Sequence, residues 1–198
     1  MRGGTLLAWR LAVWLLAGGP LLWLAWRVAG GGLGANPVEF LEHYSGDWGL
    51  RLLLATLALT PLRRWSGRGE ALRVRRLLGL WAFFWICLHF AIYLTFDLEW
   101  SAALLAEDLV ERTYITLGFA AWLLLVPLAI TSTRGWQRRL GSRWRRLHRL
   151  VYPAALLGAL HFLWLVKADV REPLVYLGVL ALLLGLRCRC FQARRHRC

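Results

Sequence analysis

Acidic residues are scarce in this chain. Only 11 Asp and Glu stand against 25 Lys and Arg, giving a net charge of +14 over 198 residues. In a soluble protein that imbalance would point to nucleic acid. Here the arginines fall in blocks between apolar runs, so the charge reads as membrane topology and no nucleic-acid partner is expected. The four cysteines do not make a disulfide framework. Cys87 lies within an apolar run, and Cys188, Cys190 and Cys198 lie in a basic tail where thiols stay reduced. That tail also carries His196, but one C-x-C and a distant Cys lack the paired spacing of zinc modules. A solvated, disordered tail is the expectation for residues 187–198. No Gly-rich phosphate loop, catalytic triad or dinucleotide fingerprint is present, and no internal repeat is visible. No catalytic residue is therefore nominated.

What the chain has in abundance is apolar and aromatic surface. Hydrophobic residues make up 59% of it and 13 are Trp, too apolar for an ordinary soluble domain and suited to the lipid–water interface. One all-α domain is expected, residues 1–186, folded as a six-helix transmembrane bundle. The expected spans are Leu11–Trp26, Trp48–Leu62, Leu77–Phe96, Thr113–Thr131, Leu147–Val166 and Leu174–Leu186. The first, second and sixth are short, and Arg10, Arg27, Arg63 and Arg187 reach the headgroups by snorkelling. Gly18, Gly19 and Pro20 predict a kink in the first helix, since proline removes a backbone bond there. The first span has no small-residue cleavage site and is read as a retained helix.

The arginines orient the bundle. They crowd residues 2–10, 63–76, 134–149 and 187–197, whereas ten of the eleven acids lie in the opposite loops and Glu70 is the exception. The positive-inside rule then places both termini in the cytoplasm of a multi-pass protein.

Histidine supplies the candidate chemistry. An ionisable side chain in a membrane helix is expensive and marks function, and neutral imidazole is the usual haem ligand. At ~1.5 Å rise per residue, His89 lies roughly 18 Å and His161 about 21 Å from the basic side. The two are level, on different helices, in the outer half of the membrane. That placement predicts one haem b with His89 and His161 as its iron ligands. His148 falls roughly 20 Å below His161, at the basic end. A second haem there would need a partner on the third span, where Arg75 and Arg76 stand instead of histidine. Guanidinium is a poor iron ligand but can hold a propionate. Thirteen residues also turn an ideal helix about 140° between His148 and His161, with Pro153 in between, so the second haem stays open. Arg51 is a further propionate candidate, or a snorkelling residue. No ligand role is expected for His43. The opposing reading is a transporter or assembly scaffold whose histidines only hydrogen-bond between helices.

Residues 34–47 (GANPVEFLEHYSGD), 60–65 (TPLRRW), 75–97 (RRLLGLWAFFWICLHFAIYLTFD), 131–153 (TSTRGWQRRLGSRWRRLHRLVYP) and 159–177 (ALHFLWLVKADVREPLVYL) together carry a resemblance. The chain resembles the MsrQ family, haem-binding membrane subunits of periplasmic methionine sulfoxide reductase systems, within the ferric-reductase-like transmembrane group. The match covers nearly everything before the tail. It implies an electron relay of the bacterial inner membrane, taking electrons from the quinol pool or a cytoplasmic flavin reductase. It implies delivery to MsrP, a periplasmic molybdenum-cofactor enzyme, for repair of oxidised proteins. It also implies that His89, His148 and His161 are haem-associated, that Arg75 acts with His148, and that FMN is a cofactor. A ferric-reductase-like module serving another acceptor is the alternative. The residues themselves show no flavin motif and leave no room after the sixth span for an FAD or NADPH domain, so the electron donor is expected to be another molecule. The acid-rich outer loops, residues 30–47, 97–112 and 167–173, are read as too short to fold alone and as a docking face for a soluble partner.

Overall fold

A computed structural model describes the backbone of residues 2–67, 69–166 and 169–195, and the side chains among these except 2–3, 70–71 and 188–195. The described residues contain helices and no strand. In chain order they are α1 (Arg2–Ala29), α2 (Pro37–Ser66), α3 (Glu70–Arg73), α4 (Arg75–Phe96), α5 (Ala102–Glu111), α6 (Thr113–Ile130), α7 (Arg134–Leu140), α8 (Ser142–Leu147), a 3₁₀ turn (His148–Leu150), α9 (Val151–Leu165) and α10 (Arg171–Arg195). The first, second, third and sixth expected spans fall within helices, the fourth runs one residue past α6 at Thr131, and the fifth starts at the end of α8, passes through the 3₁₀ turn and ends one residue past α9 at Val166. Three segments, Gly4–Ala29, Arg75–Phe96 and Thr113–Ile130, are long and apolar enough to cross a membrane, and the chain is a membrane protein. α2 is long but carries charges in its first turns, and α9 has 15 residues.

The bundle is two tight hairpins, α2 with α4 and α6 with α9, set side by side. α1 covers α4, and α10 covers α9 and α2. Apolar association has little to drive it in lipid, so close backbone approach at small residues matters more. Ala82, Ala154, Ala155 and Ala159 are buried at these seams. Trp85 is fully buried, surrounded by Tyr44, Trp48 and Phe84. Its indole N–H donates to the Ala17 carbonyl at 3.0 Å, one turn before Pro20. Tyr44 donates to the Pro20 carbonyl at 3.2 Å. Side chains of α2 and α4 thus supply bonds beside the proline, and α1 continues through it without a break.

Several loops expected from the sequence are helical. Asn36 caps α2, accepting from the Glu39 amide, and Pro37 fits the first turn where no N–H is needed. The helix therefore starts eleven residues before Trp48, and the outer segment with Glu42 and His43 belongs to it. Ser101 caps α5 by accepting from the Leu104 amide at 3.3 Å, which turns most of the expected loop 97–112 into a helix. Glu99 and Trp100 take left-handed φ of 47° and 62° to make the corner between α4 and α5. At the basic end the chain winds into α7 and α8. α10 runs on to Arg195, so the disordered tail expected from residue 187 is helical over that stretch, where no proline or glycine interrupts it. His196 and Cys198 lie outside the described residues.

Candidate functional site

His89 and His161 meet. Their ring centroids are 6.2 Å apart with planes at 68°, and both rings line one cavity of about 220 Å³ between the two hairpins. The cavity walls are apolar (Leu50, Leu53, Phe90, Ile115, Leu125), with Glu42, Tyr93, Asp97 and Arg112 toward the acidic end. The levels read from helix rise are thus realised as a pair of rings meeting edge to face.

Each imidazole is held in the same way. His89 Nδ1 lies 3.0 Å from the Glu42 carbonyl and His161 Nδ1 lies 2.6 Å from the Tyr114 carbonyl. A carbonyl only accepts, so Nδ1 carries the proton on both rings and Nε2 keeps its lone pair. Glycine makes this approach possible. Gly46 is one turn after Glu42, and a Cβ there would stand 3.3 Å from the His89 ring. Gly118 is one turn after Tyr114, and its Cβ would stand 2.9 Å from His161 Nδ1. In both helices the bare glycine lets a ring lie against the backbone and reach the carbonyl.

The two halves repeat. Glu42, Gly46 and His89 recur 72 positions later as Tyr114, Gly118 and His161, and each histidine follows its acceptor by 47 residues. The tripeptide Leu-His-Phe occurs at 88–90 and again at 160–162, and Ala82 corresponds to Ala154. Sequence reading found no internal repeat. The signal was the shared Gly-to-His interval of 43 residues, spread too thinly over divergent apolar helices to stand out.

His148 is elsewhere. It sits in the 3₁₀ turn before α9, not on a continuous helix with His161, and Pro153 occupies the first turn of α9. The helical-face argument therefore does not apply. Thr131 Oγ1 donates to the Pro127 carbonyl at 2.6 Å, so it accepts from His148 Nε2 at 3.1 Å and leaves Nδ1 as the free nitrogen. Trp144 stacks on the ring with centroids 4.0 Å apart and donates to the Thr131 carbonyl. Arg75, half-buried at the start of α4, lies within electrostatic reach of His148 and of Arg187. Arg187 itself bonds the Leu57 carbonyl and Thr60 Oγ1 at 2.8 Å each, and the Tyr152 hydroxyl. Leu57 is four residues before Pro61, whose missing N–H leaves that carbonyl free. Arg51 is committed to Asp47 (3.1 Å), Glu172 (3.2 Å) and Tyr176 (2.6 Å), an inter-helix network rather than a free propionate clamp. His43 is exposed at the cavity rim.

The donor set discriminates between metal centres. Among the described residues no group of three or more His, Cys, Asp or Glu converges to hold a bare ion, and zinc needs three or four such ligands. Two facing imidazoles suffice for haem, whose macrocycle supplies the other four nitrogens. His89 and His161, with ring centroids 6.2 Å apart, are the pair that would hold such a group.

The helical membrane bundle, with one histidine on each of two hairpins, is that of a ferric-reductase-like membrane protein, the class to which the family comparison assigns the chain. The family model described as "Ferric reductase like transmembrane component" matches residues 45–159. The chain is 56% identical over 165 residues to a protein of Xanthomonas axonopodis pv. citri, covering 83% of this chain and 76% of that one. It is 52% identical over 195 residues to a protein of Rhodospirillum rubrum, covering 94% and 93%. Both relatives carry the name "Protein-methionine-sulfoxide reductase heme-binding subunit MsrQ". The chain belongs to the MsrQ family.

Proposed function

We propose that this protein is the haem-binding electron-transfer subunit of a methionine sulfoxide reductase system in the bacterial inner membrane. The observation that carries the reading is the facing pair His89 and His161, each with Nδ1–H tied to a backbone carbonyl and Nε2 left as a donor. These two residues would hold a b-type haem, which when bound supplies one-electron redox chemistry. The protein's part is to fix two neutral imidazoles, to keep water out with apolar walls, and to set the depth of the centre.

Depth gives direction. With the basic end cytoplasmic, the paired histidines lie in the periplasmic half, and electrons leave on that side to the periplasmic subunit MsrP. Quinol or a cytoplasmic flavin reductase is the donor in this reading. The cluster of Arg75, His148, Trp144, Tyr152 and Arg187 at the basic end is where a second haem or FMN would bind. His148 Nδ1 is the nitrogen available for it, and Arg75 would take its anionic group.

Reoxidation of the dithionite-reduced purified protein on adding MsrP, with and without methionine sulfoxide, tests the proposal. Reoxidation that requires MsrP, and that goes beyond one equivalent of MsrP only when methionine sulfoxide is present, is expected. Reoxidation by ferric chelate or oxygen, with none by MsrP, would move the protein to another acceptor.

A further inference from the structure

The two imidazole acceptors are not equally secure. Glu42 is the sixth residue of the 30-residue α2, behind a capped first turn. Tyr114 is the second residue of α6, whose N-cap residue, Arg112, makes no side-chain capping bond. The first turn of an uncapped helix frays unless something outside it holds it. Here the holding contacts converge on one carboxylate. Asp108, on the last turn of α5, has a side chain only 13% exposed and pairs with Arg112 Nε at 3.1 Å. Its other oxygen accepts from the Tyr93 hydroxyl. Tyr93 is one turn beyond His89 on α4 and lines the same cavity. Thr116 closes the corner by donating to the Leu109 carbonyl at 2.6 Å. Asp108 also keeps the exposed Arg112 guanidinium above its ordinary value.

We propose that Asp108 is a positioning residue, bracing the α5–α6 corner against α4 so that the Tyr114 carbonyl holds His161 in register with His89. This rests on the haem-ligand reading above, and it singles out one of the two ligands. Asp108 does not touch the imidazole. It acts through Arg112, the first turn of α6 and the Tyr114 carbonyl, which is a third layer around the metal position.

The test compares Asp108→Ala, Asp108→Asn and Tyr93→Phe with Glu107→Gln, an exposed neighbour on α5. Outer partners of ligand histidines typically change metal affinity 10–100-fold. Haem dissociation is expected to quicken about tenfold in Asp108→Ala. Asp108→Asn, which keeps an oxygen acceptor, should be intermediate, and Glu107→Gln unchanged. The residue-specific readout is the ¹⁵N spectrum of histidine-labelled, haem-free protein. The His161 Nδ1–H signal should shift or broaden in Asp108→Ala while the His89 signal stays in place. If Asp108→Ala fails to fold, Tyr93→Phe removes one of the two bonds and carries the same expectation at smaller amplitude. Equal response of both histidines, or of neither, would overturn the proposal. Failure of the wild-type chain to bind haem would instead refute the proposed function, and the haem-free spectra would still decide the role of Asp108.

Discussion

Gly118→Ala is the sharpest perturbation available at the paired histidines. An added Cβ would stand 2.9, 3.0 and 3.1 Å from Nδ1, Cε1 and Cγ of His161, where ordinary contact begins near 3.4 Å. The ring, or α9 with it, must withdraw by about half an ångström. The Nδ1–carbonyl bond, now 2.6 Å, could stretch that far and survive. A metal–nitrogen bond could not, because ligand distances hold within about 0.2 Å. Overpacking of this kind costs about 1–3 kcal/mol, which corresponds to roughly 5- to 150-fold weaker haem binding. Gly46→Ala meets the His89 ring at 3.3 Å and needs only a few tenths of an ångström, so its effect should be much smaller. Titrating haem into haem-free protein while following the reduced absorption band gives both affinities. If Gly118→Ala binds haem as tightly as wild type, or if Gly46→Ala is the more damaging, the close approach is not what places the ligands.

Three other outcomes follow from the contacts. His148→Ala should leave the haem between His89 and His161 in place, because His148 is outside their cavity; a chain that loses all haem absorbance on this change contradicts the site as drawn. Arg187→Gln leaves the Leu57 carbonyl with neither the Pro61 amide nor a guanidinium, and thermal unfolding in detergent should show a loss of about 1–3 kcal/mol. A change under about 0.5 kcal/mol would mean water satisfies that carbonyl. Trp85→Phe removes the only indole N–H directed at the Ala17 carbonyl among the described contacts, and a similar loss of about 1–3 kcal/mol is expected, read by the same unfolding measurement.

Much of the architecture was legible because membrane helices announce themselves by length and composition. The six helical segments, the segregation of Arg from Asp and Glu, and the equal depth of His89 and His161 all follow from residue counting and a fixed helical rise. What was missed is local or relational. α5 and the early start of α2 depend on capping by Ser101 and Asn36, signals of one or two residues inside polar stretches that read equally well as loops. The commitment of Arg51 to Asp47, Glu172 and Tyr176 depends on α10 lying beside α2, which no local pattern states. The 72-residue repeat escaped notice because only the positions that touch an imidazole, and a few small seam residues, are shared. The surrounding leucines, valines and tryptophans face lipid or one another and are free to differ. His148 shows the opposite case. Its depth was readable, but its Nε2 is occupied by Thr131, seventeen residues earlier, and only the fold brings the two together.

The most direct test of the central claim is the low-temperature EPR spectrum of the oxidised, purified protein beside His89→Ala and His161→Ala. Two neutral imidazoles on one iron predict a low-spin ferric signal in the wild type. Each substitution should abolish that signal or convert it to high spin. A wild-type protein that carries no haem, or a low-spin signal that survives both substitutions unchanged, would contradict it.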